Sequence, residues 1–119
     1  MYERHKTGKL GEDIACKYLE NQNYKIVERN FSCKQGEIDI IAWEETKQEL
    51  VFIEVKTRKS FHYGKPAEAV DRTKKKHIYQ AAQYYVYINK IRNIYLRFDV
   101  IEVYVQGKII KVNQIKQIF

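Results

Sequence analysis

GEIDIIAW (Gly36–Trp43) and LVFIEVKTR (Leu50–Arg58), separated only by the polar segment EETKQE, decide how this 119-residue chain is read. Both runs are rich in β-branched and aromatic residues, and two such runs joined by a short polar connection predict an antiparallel hairpin. One acid interrupts each run: Asp39 sits among Ile38, Ile40 and Ile41, and Glu54 among Phe52, Ile53 and Val55. A carboxylate in an apolar strand loses its hydration, so it needs a partner or a cation. Counting outward from a turn centred between Thr46 and Lys47 sets Asp39 opposite Glu54. Directly opposed Cβ atoms stand roughly 4.5–5.5 Å apart, and like charges there repel.

A divalent cation removes that conflict. Mg²⁺ takes octahedral oxygen coordination from one or two carboxylates, retained waters and substrate phosphate oxygens. Mg²⁺ or Mn²⁺ on Asp39 and Glu54 would therefore suit phosphodiester hydrolysis. Lys56 follows Glu54 by two residues and returns to the same face, roughly 6–7 Å along the strand. Its ammonium is placed to orient water or phosphate. The catalytic candidates are thus Asp39, Glu54 and Lys56. The plainer reading is a cross-strand ion pair, because the same register sets Glu37 opposite Lys56, and a bulge would spoil the register altogether.

Outward from the hairpin, His5 to Asn21 carries apolar or small residues at Leu10, Ile14, Ala15, Tyr18 and Leu19, one stripe of a helix. Glu12 lies at the margin of that stripe, where helical spacing alone favours solvent. Tyr24 to Phe31 reads as a strand, with Tyr24, Ile26, Val27 and Phe31 as its apolar positions. The segment from Lys59 to Pro66 holds the chain's sole proline together with Gly64 and predicts a loop. Glu68 to about Lys90 lacks Gly and Pro and has a helical apolar face at Val70, Ile78, Ala81, Ala82, Tyr85 and Ile88. Tyr95 to Val105 and KIIKVNQI after Gly107 read as two further strands. The prediction is a single α/β domain over residues 1–119 with order α-β-β-β-α-β-β, a central mixed sheet flanked by helices.

A charged fraction of 31% against 45% hydrophobic residues is globular rather than disordered composition. The net charge of +7 favours a polyanion such as nucleic acid. Lys59, Lys65, Arg72, Lys74, Lys75 and Lys76 form the densest positive cluster, and Arg58 continues the strand beyond Lys56; all are candidate phosphate contacts. A solvated helix face is the competing account of that cluster. The four tyrosines Tyr79, Tyr84, Tyr85 and Tyr87 read as packing residues of a helix that needs a core, which leaves Tyr63 as the stacking candidate. Cys16 and Cys33 lack CxxC spacing and His5, His62 and His77 lack HxxxH spacing, so the metal expected here is hard and oxygen-bound. Without an apolar run of about 20 residues or the apolar core of a signal peptide, no membrane span is expected and the cytoplasm is the expected location; a role at an anionic membrane surface ranks third, because the apolar face of the basic helix is needed for the core.

GEDIACKYL (Gly11–Leu19), Arg29 with Asn30, GEIDIIA (Gly36–Ala42), FIEVKTR (Phe52–Arg58), the segment from Gly64 to Val70, Lys74 and AAQYY (Ala81–Tyr85) together resemble the YraN-like family of small bacterial proteins. The resemblance covers nearly the whole chain. It implies a restriction-endonuclease-like or Holliday-junction-resolvase-like core with the Asp…Glu-x-Lys motif at Asp39, Glu54 and Lys56. It also implies that Glu12 joins the metal cluster. Gln80 and Tyr84 resemble the Q-x-x-x-Y element of RecB-like nucleases, and Gln83 with Tyr87 fits the same spacing. The opposed acids and the basic surround make Mg²⁺- or Mn²⁺-dependent endonucleolytic cleavage of DNA, including branched or structured DNA, the leading expectation for activity. A homodimer would suit cutting of two strands, although no self-complementary interface is visible in the sequence. The alternative is a non-catalytic nucleic-acid-binding or partner-binding module on a nuclease fold.

Overall fold

The computed structural model describes the backbone of residues 2–59 and 72–119, with side chains from residue 8 onward. The predicted loop from Ser60 to Pro66 with Tyr63 and Lys65, and the predicted helical residues Glu68 to Asp71, lie outside the described residues. Seven elements follow in the predicted order: α1 (Tyr2–Asn21), β1 (Tyr24–Cys33), β2 (Gly36–Glu44), β3 (Glu49–Arg58), α2 (Arg72–Ile88), β4 (Tyr95–Gln106) and β5 (Ile109–Ile115).

The strands form one five-stranded sheet in the order β1-β2-β3-β4-β5. All neighbours are antiparallel except β3 and β4, which run parallel along their length from Glu49↔Tyr95 to Arg58↔Tyr104. A parallel pair needs a long crossover, and α2 lies within it. Each helix covers one face of the sheet. On one side Ala15, Cys16 and Leu19 of α1 pack on Ile40, Val51, Ile53 and Ile101. On the other, Ile78, Ala81, Ala82 and Tyr85 of α2 pack on Ile41, Phe52, Phe98 and Val100. Strands buried on both faces read as continuous apolar runs, which is why Leu50–Ile53 shows no polar alternation. Among the described residues, no helix is long and apolar enough to cross a membrane.

The hairpin register is the predicted one from Glu44↔Glu49 to Ile40↔Ile53. Gln48 closes the turn, taking a positive φ of 58° while its N–H donates to the Glu44 carbonyl at 2.9 Å. Three apolar positions depart from expectation, and one of them, Ile88, is exposed at the last residue of α2. Leu10 is exposed because it lies off the stripe that α1 lays on the sheet. Val27 is exposed because the β1–β2 register shifts between Ile26 and Glu28, and the extra residue of such a bulge is turned outward.

A second irregularity shapes the site. Asn30 has φ 55°, in the left-handed region that a short polar side chain tolerates. It separates Arg29, which reaches α1, from Phe31, which enters the core beneath α2, so two residues that strict alternation would put on one face take opposite ones. Arg29 pairs with Ile40 and Phe31 with Ile38, and β2 answers the break at Asp39: Ile38 belongs to the α2 side and Ile40 to the α1 side. Asp39 thus occupies a kink at the point where β2 stops pairing with β3.

Candidate functional site

Beyond Ile40↔Ile53 the ladder ends, and the Asp39 carboxylate takes over its role. Its Oδ2 accepts the Val55 backbone N–H at 2.8 Å. This ties the acid to β3 beside Glu54, so the pair meets as the register requires, through a side chain rather than through the ladder. Glu54 is buried. Its Oε1 lies 3.6 Å from Lys56 Nζ and 3.5 Å from Lys74 Nζ. Lys56 therefore pairs with Glu54 on its own strand, while Glu37 is exposed and sits opposite Ser32 of β1.

The electrostatics follow from this crowding. Burial, and then the negative charge of Glu54, push the Asp39 carboxyl up to about 7; the Val55 N–H and the Lys74 ammonium hold it partly down.

Glu12 approaches from α1. Its carboxyl is raised by burial and by the charge of Asp39, against the lowering effect of Arg29 and Asn30. Arg29 holds Glu12 at 3.4 Å and Asp13 at 2.8 Å, locking the start of GEDIA to β1. Gly11 permits the approach: a Cβ there would fall 1.9 Å from Thr57 Oγ1, so only glycine lets α1 lie this close to β3.

The phosphate-contact candidates separate. Arg58 is engaged inward, its guanidinium 3.5 Å from Glu102 Oε2, while Lys59 and Arg72 are exposed. Lys74 turns to the acid pair, whereas Lys75 lies over the Phe119 ring at 6.0 Å. Gln80 is partly buried, and Tyr84 is exposed with its ring 6.5 Å from Phe31. Of the four α2 tyrosines expected to pack, only Tyr85 is buried; Tyr84 and Tyr87 point away from the face that Ile78, Ala81, Ala82 and Tyr85 lay on the sheet, and Tyr79 is exposed at its edge with its ring against Phe98 and Phe119.

Sequence reasoning missed two features. Glu102, fully buried on β4 beside Lys56 in the parallel register, accepts from Asn113 at 3.2 Å and faces Arg58. Arg97 is buried at the other end of the sheet, where it binds Glu44, Glu49 at 2.8 Å, Asp99 at 2.9 Å and the Tyr24 hydroxyl. Burial opposes ionisation of Glu44, but Arg97 and then Tyr24 outweigh it and lower its pKa. The signal for both was present in YLRFDVIEVYV (Tyr95–Val105), where charges interrupt an apolar strand as Asp39 and Glu54 do.

The donor set at Asp39 and Glu54 is all oxygen and largely enclosed, and the two acids repel enough to keep Asp39 protonated up to about 7, a repulsion that a hard divalent cation would relieve. Among the described residues, no three of His, Cys, Asp and Glu converge as a ready-made metal cage. Two carboxylates completed by water and phosphate oxygens are the arrangement Mg²⁺ accepts.

The model of the "Uncharacterised protein family UPF0102" matches residues 11–103, which span α1 to β4. A UPF0102 protein of Caldicellulosiruptor saccharolyticus is 43% identical over 118 residues, 98% of each chain. One of Caldanaerobacter subterraneus subsp. tengcongensis is 44% identical over 111 residues, covering 93% of this chain and 89% of the relative. One of Clostridium botulinum is 55% identical over 97 residues, covering 81% and 77%. With matches across most of both partners' lengths, this chain belongs to the UPF0102 family, the YraN-like proteins that its motifs resemble.

Proposed function

We propose that this protein is a divalent-metal-dependent nuclease that hydrolyses phosphodiester bonds in DNA, with branched or structured DNA as the substrate class to test first. The observation that carries this reading is a pair of carboxyls, the half-buried Asp39 and the buried Glu54, flanked by the ammonium groups of Lys56 and Lys74. Asp39 and Glu54 would hold Mg²⁺ or Mn²⁺; Glu12 stays on Arg29, electrostatically coupled to Asp39 without converging on the pair. Bound there, the ion supplies Lewis-acid polarisation of the phosphate and a lowered pKa for water.

The chain's own residues do the rest. The Val55 N–H fixes the Asp39 carboxylate, so one oxygen is committed to the backbone and the other faces the site. Lys56 orients the attacking water and offers positive charge to the phosphate as negative charge builds on its oxygens. Water oxygen bonds to phosphorus as the bond to the leaving sugar oxygen breaks; the water's proton passes to solvent, and the leaving oxygen takes a proton from solvent to depart as the alcohol. Lys74 limits the repulsion between the acids and marks where the cationic start of α2 meets the site.

Purified protein incubated with branched, single-stranded and duplex DNA and Mg²⁺ or Mn²⁺ should cut at least one of them, and EDTA or Glu54→Gln should abolish cutting. Undiminished cleavage by Glu54→Gln would sink the assignment. A non-catalytic nucleic-acid-binding module is the second reading. It is favoured by the cationic surface of the C-terminal half, where the two acids after residue 71, Asp99 and Glu102, are both buried. DNA binding without metal-dependent cleavage, unchanged by Asp39→Asn, selects it.

A further inference from the structure

The charge of this chain is unevenly placed. Residues 72–119 hold ten of the 22 lysines and arginines and only two of the 15 acids, Asp99 and Glu102. Those two acids are 1% and 0% exposed, so no aspartate or glutamate of this half reaches the surface. Its one buried cation, Arg97, is neutralised by its acidic partners, and the others are partly or fully exposed.

Within this surface lies an open groove of about 890 Å³ between α2 and the start of β4. Its floor is apolar, formed by Val86, Leu96 and Phe98, and Lys90 and Arg92 stand on its rim. Tyr79 and Tyr87 flank it, with Gln83 between them donating to the Tyr79 hydroxyl at 3.3 Å. Tyr79, Gln83 and Tyr87 follow one another at i, i+4 spacing and line one stripe of the helix. Tyr87 is 79% exposed, leaving most of an aromatic ring uncovered by the described residues. The same helix begins at the acid pair: Lys74 touches Glu54, and thirteen residues on, roughly 20 Å at the helical rise, stands Tyr87.

From these placements we infer that the α2–β4 groove binds an unpaired nucleic-acid strand, with Tyr87 stacking on a base, Tyr79 backed by Phe98 and Phe119 as the groove's wall, and Lys90 and Arg92 neutralising phosphates. Stacking faces interleaved with a cationic rim are what a single strand requires, since every base presents a π face and every linkage a charge. A rigid duplex keeps its bases stacked internally and gives Tyr87 nothing to cover. The charge favours this occupant over an apolar or basic one. The inference rests on the nuclease reading only for its consequence: a strand on this groove leads along α2 to Lys74 and the acids, making junctions between paired and unpaired DNA the substrate.

Binding is read by fluorescence anisotropy in EDTA, so cleavage plays no part. The probe is an oligothymidine of about 15 nucleotides, long enough for a site of the usual size, against a blunt duplex of equal length. Wild type should prefer the oligothymidine. Tyr87→Ala should weaken it about tenfold, within the range for loss of one stacked base, and Tyr87→Phe should restore it. Arg92→Ala should lower the salt slope by about 0.7, as for one phosphate contact on a single strand. Tyr87 is so exposed that its truncation should leave the melting temperature unchanged, and that measurement accompanies each variant. Equal affinity of Tyr87→Ala and wild type, or preference for the duplex, overturns the inference. So does a dimer in sedimentation that Tyr87→Ala dissociates and oligothymidine leaves intact, which would assign the groove to a second copy. Intact oligothymidine binding without metal-dependent cleavage leaves the groove standing and removes the nuclease reading alone.

Discussion

Asp39→Asn should make the metal-free protein more stable at pH 8 and no more stable at pH 4. In the native state Asp39 holds its proton up to about 7, against 3.8 for an unperturbed aspartate, because it is buried beside Glu54. Between those values the folded protein binds more protons than the unfolded chain, so stability falls as pH rises through the window. The loss is complete above about pH 7 and absent below about pH 4. At about 1.4 kcal/mol per pH unit the ceiling is about 4 kcal/mol. Relaxation around the charged pair places the expected gain nearer 1–3 kcal/mol, the usual scale of single substitutions. Asparagine removes the titration yet keeps an oxygen for the Val55 N–H, so the hydrogen bond at 2.8 Å survives. Urea denaturation at the two pH values measures the difference, and saturating Mn²⁺ should close the gap by stabilising wild type alone. Equal destabilisation by Asp39→Asn at both pH values would refute the reasoning, since it would make Asp39 an ordinary structural acceptor.

Lys74→Ala should raise the Asp39 titration further, because Lys74 is one of the groups holding it down; carboxyl NMR shifts followed against pH would register this. Gly11→Ala should cost about 1–3 kcal/mol by forcing α1 off Thr57, and Thr57→Ala should recover part of that loss in a double variant, read from urea midpoints. Arg97→Met should destabilise by about 3–5 kcal/mol or prevent folding, because Glu44 and Asp99 are left buried without their cation; circular dichroism melting is the measurement.

Much of this molecule is legible in its residues, for identifiable reasons. The β2–β3 hairpin could be registered because its turn is short and its runs are continuous, so counting from the turn has one outcome. The acid pair could be found because apolar runs make an acid conspicuous. The helical tyrosines could not be sorted, since the spacing of Tyr84, Tyr85 and Tyr87 does not tell which one faces Phe31 and Phe52; Tyr85 does, through edge contacts at 5.1 and 6.1 Å. The kink at Asn30 and Asp39 was invisible because a left-handed residue inside a strand leaves the apolar pattern intact while exchanging its faces. Lys74 could be seen as basic but not as a partner of Glu54, a contact made across 20 positions of sequence by packing of α2 on the sheet.

Calorimetric titration of Mn²⁺ into wild type and Asp39→Asn at pH 6 tests the central claim most directly. At that pH Asp39 is largely protonated, so the account predicts saturable binding in wild type accompanied by proton release, with both lost in Asp39→Asn. Saturable binding of equal strength in the variant, or none in wild type at any pH up to 8, would contradict it.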